Sequence, residues 1–217
     1  MVRIKVCGIT NYSDAAAVIS TGVDFIGFIV DVPVETPRKI TSSQAEEILR
    51  EIDRKKAIIV LMPSALQEVE RILELKPFGV QFHSNETPEF IRDVKEVSSK
   101  VAIIKALHMQ KNSTFEELKN LANAYADLVD YFLLDTQSDK IGGTGMTHDW
   151  NVSKKLVENL KKPVFLSGGL GPENVCAAVK SVHPFGVDAS SRLESKPGFK
   201  DIRKVKYFVR EVKACST

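Results

Sequence analysis

Cysteine is scarce in this chain, and its three residues are not arranged for a disulfide framework or a structural metal. Cys7, Cys176 and Cys215 show no CxxC spacing and have no histidine cluster beside them. An odd, sparse set of this kind argues against a disulfide scaffold and against a zinc site. We therefore expect three free thiols in a reducing compartment, with Cys176 in a helix as part of the core.

Long apolar runs and a targeting segment are also lacking. No uninterrupted apolar stretch reaches the roughly 18 residues that a membrane helix needs, so we expect no membrane span. The opening residues MVRIKVCGITN place a charge inside a short apolar stretch, which is unlike a signal peptide. These absences predict a cytoplasmic protein.

The chain carries no dense block of one charge. Its 30 basic and 28 acidic residues are spread along the sequence and give a net charge of +2. Nothing here would neutralise a phosphate backbone, so we expect no nucleic-acid partner. A GxGxxG after the first strand is absent, and the glycine-rich segment IGGTGMTHDW has Met146 where a phosphate-binding P-loop requires lysine.

What the sequence does contain is a regular alternation of apolar runs and amphipathic segments. Segments such as SSQAEEILREI and ALQEVERILELK have helical spacing, and they separate eight short runs: RIKVCG, FIGFIV, AIIVLM, FGVQFH, VAIIKAL, YFLLDT, PVFLSGG and FGVDAS. Right-handed crossovers place helices outside a parallel sheet, so eight such units predict an α/β fold, a single-domain (β/α)8 TIM barrel over residues 1–217. A doubly wound open sheet is the alternative.

In such a barrel the working residues lie at the carboxyl ends of the strands. Alternation along the first strand turns Lys5 and Cys7 inward, and the same count turns Asp135 inward in the sixth strand. The two strands lie nearly opposite each other, so Cys7 and Asp135 could act as base and acid on one small substrate. Cys7 would need a positive neighbour such as Lys5, and the pKa of Asp135 would need to rise through burial. The alternatives are a small buried residue for Cys7 and a loop-capping carboxylate for Asp135.

The last two strands end in segments that suit a phosphate group. Glycines let a ligand approach backbone N–H groups, and serines add hydroxyls. Loops after the seventh and eighth strands form the common phosphate site of this fold, so we expect a phosphorylated small-molecule substrate rather than ordinary turns. The predicted phosphate-binding residues are Gly168, Gly169, Asp188, Ser190 and Ser191. The glycine-rich segment after Asp135 would form a lid.

Two further residues are candidates for binding substrate. His83 stands at the end of the fourth strand, where a structural role is the alternative. Arg38 precedes a helix and could bind a carboxylate through two parallel hydrogen bonds, although an exposed, solvated arginine is the ordinary interpretation.

Taken in order, these motifs resemble the phosphoribosylanthranilate isomerase family over the whole chain. The resemblance rests on KVCGIT, PRKI, VQFH, LLDT, GGTG, HDW, LSGGLGPENV and GVDASSRLE. It implies an Amadori rearrangement of N-(5′-phosphoribosyl)anthranilate in tryptophan biosynthesis. The thiolate matching Cys7 would remove the C2′ proton, and the acid matching Asp135 would protonate the ring oxygen. Arg38 would contact the anthranilate carboxylate.

The resemblance implies no metal and no organic cofactor, because the imine of the substrate accepts the electrons. A monomer or a homodimer is expected. One rival is a sugar-phosphate isomerase of histidine biosynthesis or a bifunctional form, which would show paired aspartates at strands one and six. The other rival is a non-catalytic barrel that only binds phosphate esters.

Overall fold

Parallel strands and helices alternate along the chain in the order that the apolar runs predict. The computed structural model describes residues 1–98, 100–110, 112–136 and 149–215. The barrel strands in this part of the chain are β1 (Arg3–Cys7), β2 (Phe25–Val30), β3 (Ala57–Leu61), β4 (Gly79–Phe82), β5 (Ala102–Met109), β6 (Tyr131–Thr136), β7 (Val164–Leu166) and β8 (Gly186–Ala189). The helices are α1 (Tyr12–Ser20), α2 (Ser42–Arg50), α3 (Leu66–Leu73), α4 (Pro88–Val97), α5 (Phe115–Tyr125), α6 (Trp150–Asn159), α7 (Val175–Val182) and α8 (Ile202–Cys215).

The sheet closes on itself, which confirms the predicted barrel and excludes the open sheet. Each strand pairs in parallel with the next, and β1 pairs with both β2 and β8. Closure brings residues from the two ends of the chain together, since Lys5 in β1 lies opposite Asp188 in β8. A short strand, Lys39–Ile40, extends the edge of β2, and a hairpin of Glu194–Lys196 and Phe199–Lys200 stands between β8 and α8.

Two apolar clusters separate the inside of the barrel from its outer layer. Ile4, Val6, Phe132 and Leu134 pack outward against the helices. Leu133 instead belongs to the interior cluster with Ile58, Ile104, Ala106 and Phe165, against which Phe25, Phe78 and Tyr131 pack. The period-two alternation of β1 and β6 is therefore confirmed, and Cys7 and Asp135 stand at positions that face the barrel interior.

Helix starts follow the side chains available to cap them. Thr87 caps α4 by accepting a hydrogen bond from the Phe90 amide, and Pro88 occupies the first turn, as its sequence predicts. Proline followed by glutamate at positions 172 and 173 predicts a helix that opens at Pro172, but α7 begins instead at Val175. The Asn174 side chain, which accepts from the Gly171 amide and donates to the Gly169 carbonyl, holds the preceding residues in a turn.

The prediction of three free thiols is wrong for two of them. Cys176 in α7 and Cys215 at the end of α8 form a disulfide, with their Cα atoms 5.5 Å apart. The two helices pack side by side at the closure of the barrel, which brings together cysteines 39 positions apart. Cys7 is the free cysteine, and it is buried.

Within the described ranges, every helix is too short or too polar to cross a membrane.

Candidate active site

Strand β1 delivers a lysine and a cysteine to the barrel interior next to each other. Both side chains are buried, and Lys5 donates a hydrogen bond from Nζ to Asp188 Oδ2 at 2.9 Å. Gly27 of β2 lies opposite Cys7, and a Cβ there would come within 2.7 Å of Cys7 Sγ and 3.1 Å of Lys5 Nζ. Glycine at this position leaves the space that the thiol and the ammonium occupy. Sequence reasoning missed Gly27, although it falls inside the FIGFIV run.

The surroundings of Cys7 keep its proton on sulfur in the resting protein. Burial raises the pKa of the Cys7 thiol, and the Asp188 carboxylate adds to that effect. The ammonium groups of Lys5 and Lys200 oppose the increase without cancelling it. Burial lowers the pKa of Lys5, but Asp188 and Cys7 together raise it above its ordinary value, so Lys5 stays charged. Lys5 is the positive neighbour that the sequence analysis predicts for Cys7, and its ammonium group also pairs with Asp188.

Asp135 lies with two histidines at the ends of β4, β5 and β6. His83 Nε2 is 3.4 Å from Asp135 Oδ2, and the rings of His83 and His108 meet edge to face with centroids 4.8 Å apart. His108 donates from Nε2 to the His83 carbonyl at 3.1 Å. The sequence pattern does not predict His108, because the apolar run VAIIKAL ends at Leu107, whereas β5 continues to Met109.

The expected increase in the pKa of Asp135 is wrong in direction. Burial raises the pKa of this carboxyl, but the hydrogen bond and charge of His83, with contributions from His108 and Ser167, hold it below its ordinary value. Asp135 is therefore a carboxylate in the resting protein. Cys7 and Asp135 together hold one proton, and it resides on the thiol.

Arg38 is buried rather than exposed, and it is held by an acid that the sequence did not reveal. Its Nε and Nη2 atoms donate to the two oxygens of Glu194, each at 2.7 Å. Lys200 donates from Nζ to Glu194 Oε1 at 3.0 Å and to the Ser190 carbonyl at 3.3 Å. Burial raises the pKa of Glu194, but Arg38 and Lys200 outweigh it and lower the pKa overall. This network joins Arg38 to the loop after β8.

The loops after β7 and β8 lie next to each other, as the barrel requires. Gly168 and Gly169 adopt φ angles of +89° and +62°, which other residues rarely adopt. A Cβ on Gly168 would also overlap the Thr136 side chain at the end of β6. Ser190 and Ser191 follow β8, with Ser191 opening a single helical turn, Ser191–Leu193.

Asp188 is separated from the other predicted phosphate-binding residues by the direction of its side chain. Its carboxylate is buried in the barrel interior against Lys5, and its Oδ1 atom has no hydrogen-bond partner in the described part of the chain. Its side chain therefore belongs with Lys5 and Cys7 in the barrel interior, where burial raises the pKa of its carboxyl. Residues 141–148 of the predicted lid segment IGGTGMTHDW, including Met146, lie outside the described residues.

Comparison with known proteins gives consistent matches over the full chain. The family described as N-(5′-phosphoribosyl)anthranilate (PRA) isomerase matches residues 4–211. A relative from Methanocaldococcus jannaschii, an N-(5′-phosphoribosyl)anthranilate isomerase, is 41% identical, with 98% of this chain and 97% of the relative covered.

Solved structures agree with that match. The phosphoribosyl anthranilate isomerase of Thermotoga maritima is 33% identical, with a TM-score of 0.85 and with 99% of this chain and 100% of that chain covered. A second structure of the Thermotoga enzyme contains monomers generated from its dimeric form. A phosphoribosyl anthranilate isomerase in complex with reduced 1-(o-carboxyphenylamino)-1-deoxyribulose 5-phosphate is 31% identical, with a TM-score of 0.81 and with 99% of this chain and 100% of that chain covered.

Proposed function

Because the chain belongs to the N-(5′-phosphoribosyl)anthranilate isomerase family, we propose that Cys7 and Asp135 are the base and the acid of its reaction. The protein is an isomerase of tryptophan biosynthesis, and its reaction converts an aminoaldose into an aminoketose. The observation that carries the assignment is a free, buried cysteine beside Lys5 at the end of β1, with a carboxylate at the end of β6.

The proposed reaction begins at the furanose ring of the substrate. Asp135 donates a proton to the ring oxygen while the C1′–O bond breaks, and the anthranilate nitrogen lone pair forms the C=N bond of an iminium ion. The Cys7 thiolate then removes the C2′ proton, and the electrons of that C–H bond form a C1′=C2′ bond as the iminium π electrons return to nitrogen. The resulting enolamine tautomerises to the ketone. The substrate provides its own electron sink, so the proposal includes no metal and no organic cofactor.

The resting distribution of protons must reverse before this chemistry can start. The resting pair is a thiol and a carboxylate, whereas the reactive pair is a thiolate and a carboxylic acid. Both pairs hold one proton, so the exchange leaves the net charge unchanged. Lys5 and Lys200 stabilise the thiolate once it forms, since their charges lower the pKa of Cys7. An anionic substrate close to Asp135 favours protonation of that carboxylate.

The remaining predicted residues hold the substrate in this proposal. Backbone N–H groups around Gly168 and Gly169, with the hydroxyls of Ser190 and Ser191, receive the phosphate. Arg38 uses two of its three nitrogens for Glu194, which leaves Nη1 for the anthranilate carboxylate.

His83 positions Asp135 next to the sugar ring in this proposal. Its Nε2 atom lies beside one carboxylate oxygen, as described above. The other carboxylate oxygen can then face the substrate.

We further propose that the protein acts in the cytoplasm as a monomer or homodimer on a phosphorylated small molecule, without nucleic acid. A disulfide is unusual in a reducing compartment, and the intracellular proteins of hyperthermophiles are the main exception. The Cys176–Cys215 bond fits a cytoplasmic location if this protein belongs to that exception.

The decisive experiment follows turnover of freshly prepared phosphoribosylanthranilate through the loss of its fluorescence. Cys7→Ser and Asp135→Asn should each lower kcat by at least about 100-fold, the usual contribution of a positioned acid or base. Both variants should still bind reduced 1-(o-carboxyphenylamino)-1-deoxyribulose 5-phosphate, which shows that their pockets are intact. Cys176→Ser is the matched cysteine control and should keep its kcat.

Full turnover in either variant would refute the acid–base assignment. A wild-type protein that binds the phosphate ester and leaves its fluorescence unchanged would instead support the non-catalytic barrel.

A further inference from the structure

Three side chains with metal-ligating atoms converge at the barrel mouth from consecutive strands. His83 follows β4, His108 lies in β5, and Asp135 lies in β6, where the strand register places it opposite His108. One potential ligand atom from each lies within 4.8 Å of the other two. Two imidazoles and one carboxylate are a donor set that zinc and other divalent transition metals accept.

The spacing of these groups is close to that of a bound ion. A tetrahedral zinc ion with bonds of about 2.0–2.1 Å has ligand atoms roughly 3.4 Å apart. His83 Nε2 and Asp135 Oδ2 already lie 3.4 Å apart. The other ligand atoms lie within 4.8 Å of one another, so no pair needs to approach by more than roughly 1.4 Å, which rotation of partly buried side chains can supply.

Each imidazole also has a neighbour that can orient it as a ligand. His108 Nε2 faces the His83 carbonyl, which only accepts hydrogen bonds, so Nε2 carries the proton and Nδ1 keeps its lone pair. His83 Nδ1 lies 3.2 Å from Gln81 Nε2, while Gln81 Oε1 is buried with no partner among the described residues. A half-turn of the Gln81 amide places Oε1 where it accepts a hydrogen bond from Nδ1–H, which leaves the lone pair of His83 Nε2 for a metal. Such outer contacts are usual at histidine metal sites.

We propose that His83, His108 and Asp135 form a binding site for a divalent transition metal of the zinc class, and that the bound ion inhibits the enzyme. Three protein ligands leave at least one position open to water. The ion inhibits because it occupies the carboxylate that donates the proton. The inhibition rests on the proposed function, whereas the binding does not.

Binding is tested directly on chelator-treated protein by calorimetric titration with Zn²⁺ and by the visible spectrum of the Co²⁺-loaded protein. We expect one ion per chain and no thiolate charge-transfer band. His108→Gln and Asp135→Asn should each weaken Zn²⁺ binding by more than about tenfold, since even outer contacts contribute that much. His183→Asn replaces an exposed histidine whose left-handed conformation asparagine tolerates, and it should bind like the wild type.

Cys7→Ser tests whether the Cys7 thiol is a metal ligand instead, and it should also bind Zn²⁺ like the wild type. Loss of Zn²⁺ binding in Cys7→Ser, equal affinity in His108→Gln, or no binding by the wild type would each overturn the proposal. Circular dichroism verifies folding, and His83→Gln provides the same comparison if His108→Gln does not fold.

Turnover distinguishes the two proposals from each other. Zn²⁺ should slow the wild type, a chelator should restore the rate, and the half-inhibiting concentration should rise in His108→Gln by the same factor as its dissociation constant. Zn²⁺ binding without any turnover of the metal-free enzyme would refute the isomerase mechanism and leave the metal site intact. Normal turnover without Zn²⁺ binding would refute the metal site alone.

Discussion

Removal of the Cys176–Cys215 disulfide should produce a large and calculable loss of stability. The bond links residues 39 positions apart. For a loop of that length, the entropy that the cross-link removes from the unfolded chain corresponds to about 4 kcal/mol at 25 °C. For a protein of this size each kcal/mol lowers Tm by roughly 2–4 °C, so the expected decrease is about 8–16 °C.

The assay is denaturant unfolding of the wild type, Cys176→Ser, Cys215→Ser and the double variant, without reductant. Either single substitution removes the whole cross-link, so all three variants should lose a similar free energy of unfolding, and the double variant should lose little more. Reduced wild type should behave like the variants. In the unfolded, unreduced wild type a thiol reagent should detect only Cys7.

The reasoning fails if the single variants unfold at the wild-type denaturant concentration, or if three thiols react before reduction. A loss that persists when the variants are compared with reduced wild type would trace the effect to side-chain packing between α7 and α8.

Three other predictions examine the buried charges and the space around the proposed base, Cys7. Lys5→Met should lower the unfolding free energy by about 3–5 kcal/mol because it leaves the buried Asp188 carboxyl without its ion-pair partner. The double variant Lys5→Met, Asp188→Asn should recover part of that loss. Equal stability of the wild type, the single variant and the double variant would contradict this. The pKa of Glu194 is lowered in the folded state, so its contribution to stability is present above the ordinary pKa of 4.5 and is lost as pH falls through the folded-state value. The difference in unfolding free energy between wild type and Glu194→Gln should therefore narrow in acid. A difference that stays constant with pH would contradict this. Gly27→Ala should lower kcat more than it raises KM, since its methyl group would displace the Cys7 sulfur, and unchanged kinetics would show that the sulfur has room to move.

The barrel and the inward residues could be predicted because each depends on short-range periodicity. Apolar runs locate the strands, and period-two alternation assigns Cys7 and Asp135 to the interior. Closure of the barrel then places them across its mouth without any knowledge of distant contacts.

Other parts of the site depend on contacts that no local pattern encodes. Glu194 and Lys200 lie in strands of three and two residues, too short to give a strand signal, and their charges resemble those of any exposed loop. The pKa of Asp135 is lowered mainly by His83, which follows a different strand and contacts Asp135 only in the folded barrel. The disulfide likewise depends on which helices become neighbours when the barrel closes.

The pairing of β1 with β8 also fixes the order in which the surroundings of Cys7 are assembled during synthesis. Cys7 leaves the ribosome long before Asp188 and Lys200, whose charges act on its thiol. A nascent chain that has formed β1 to β7 and their helices still holds Cys7, the proposed base, in an unfinished electrostatic environment. The electrostatic environment of Cys7 is therefore completed only when the hairpin has emerged and β8 has joined β1.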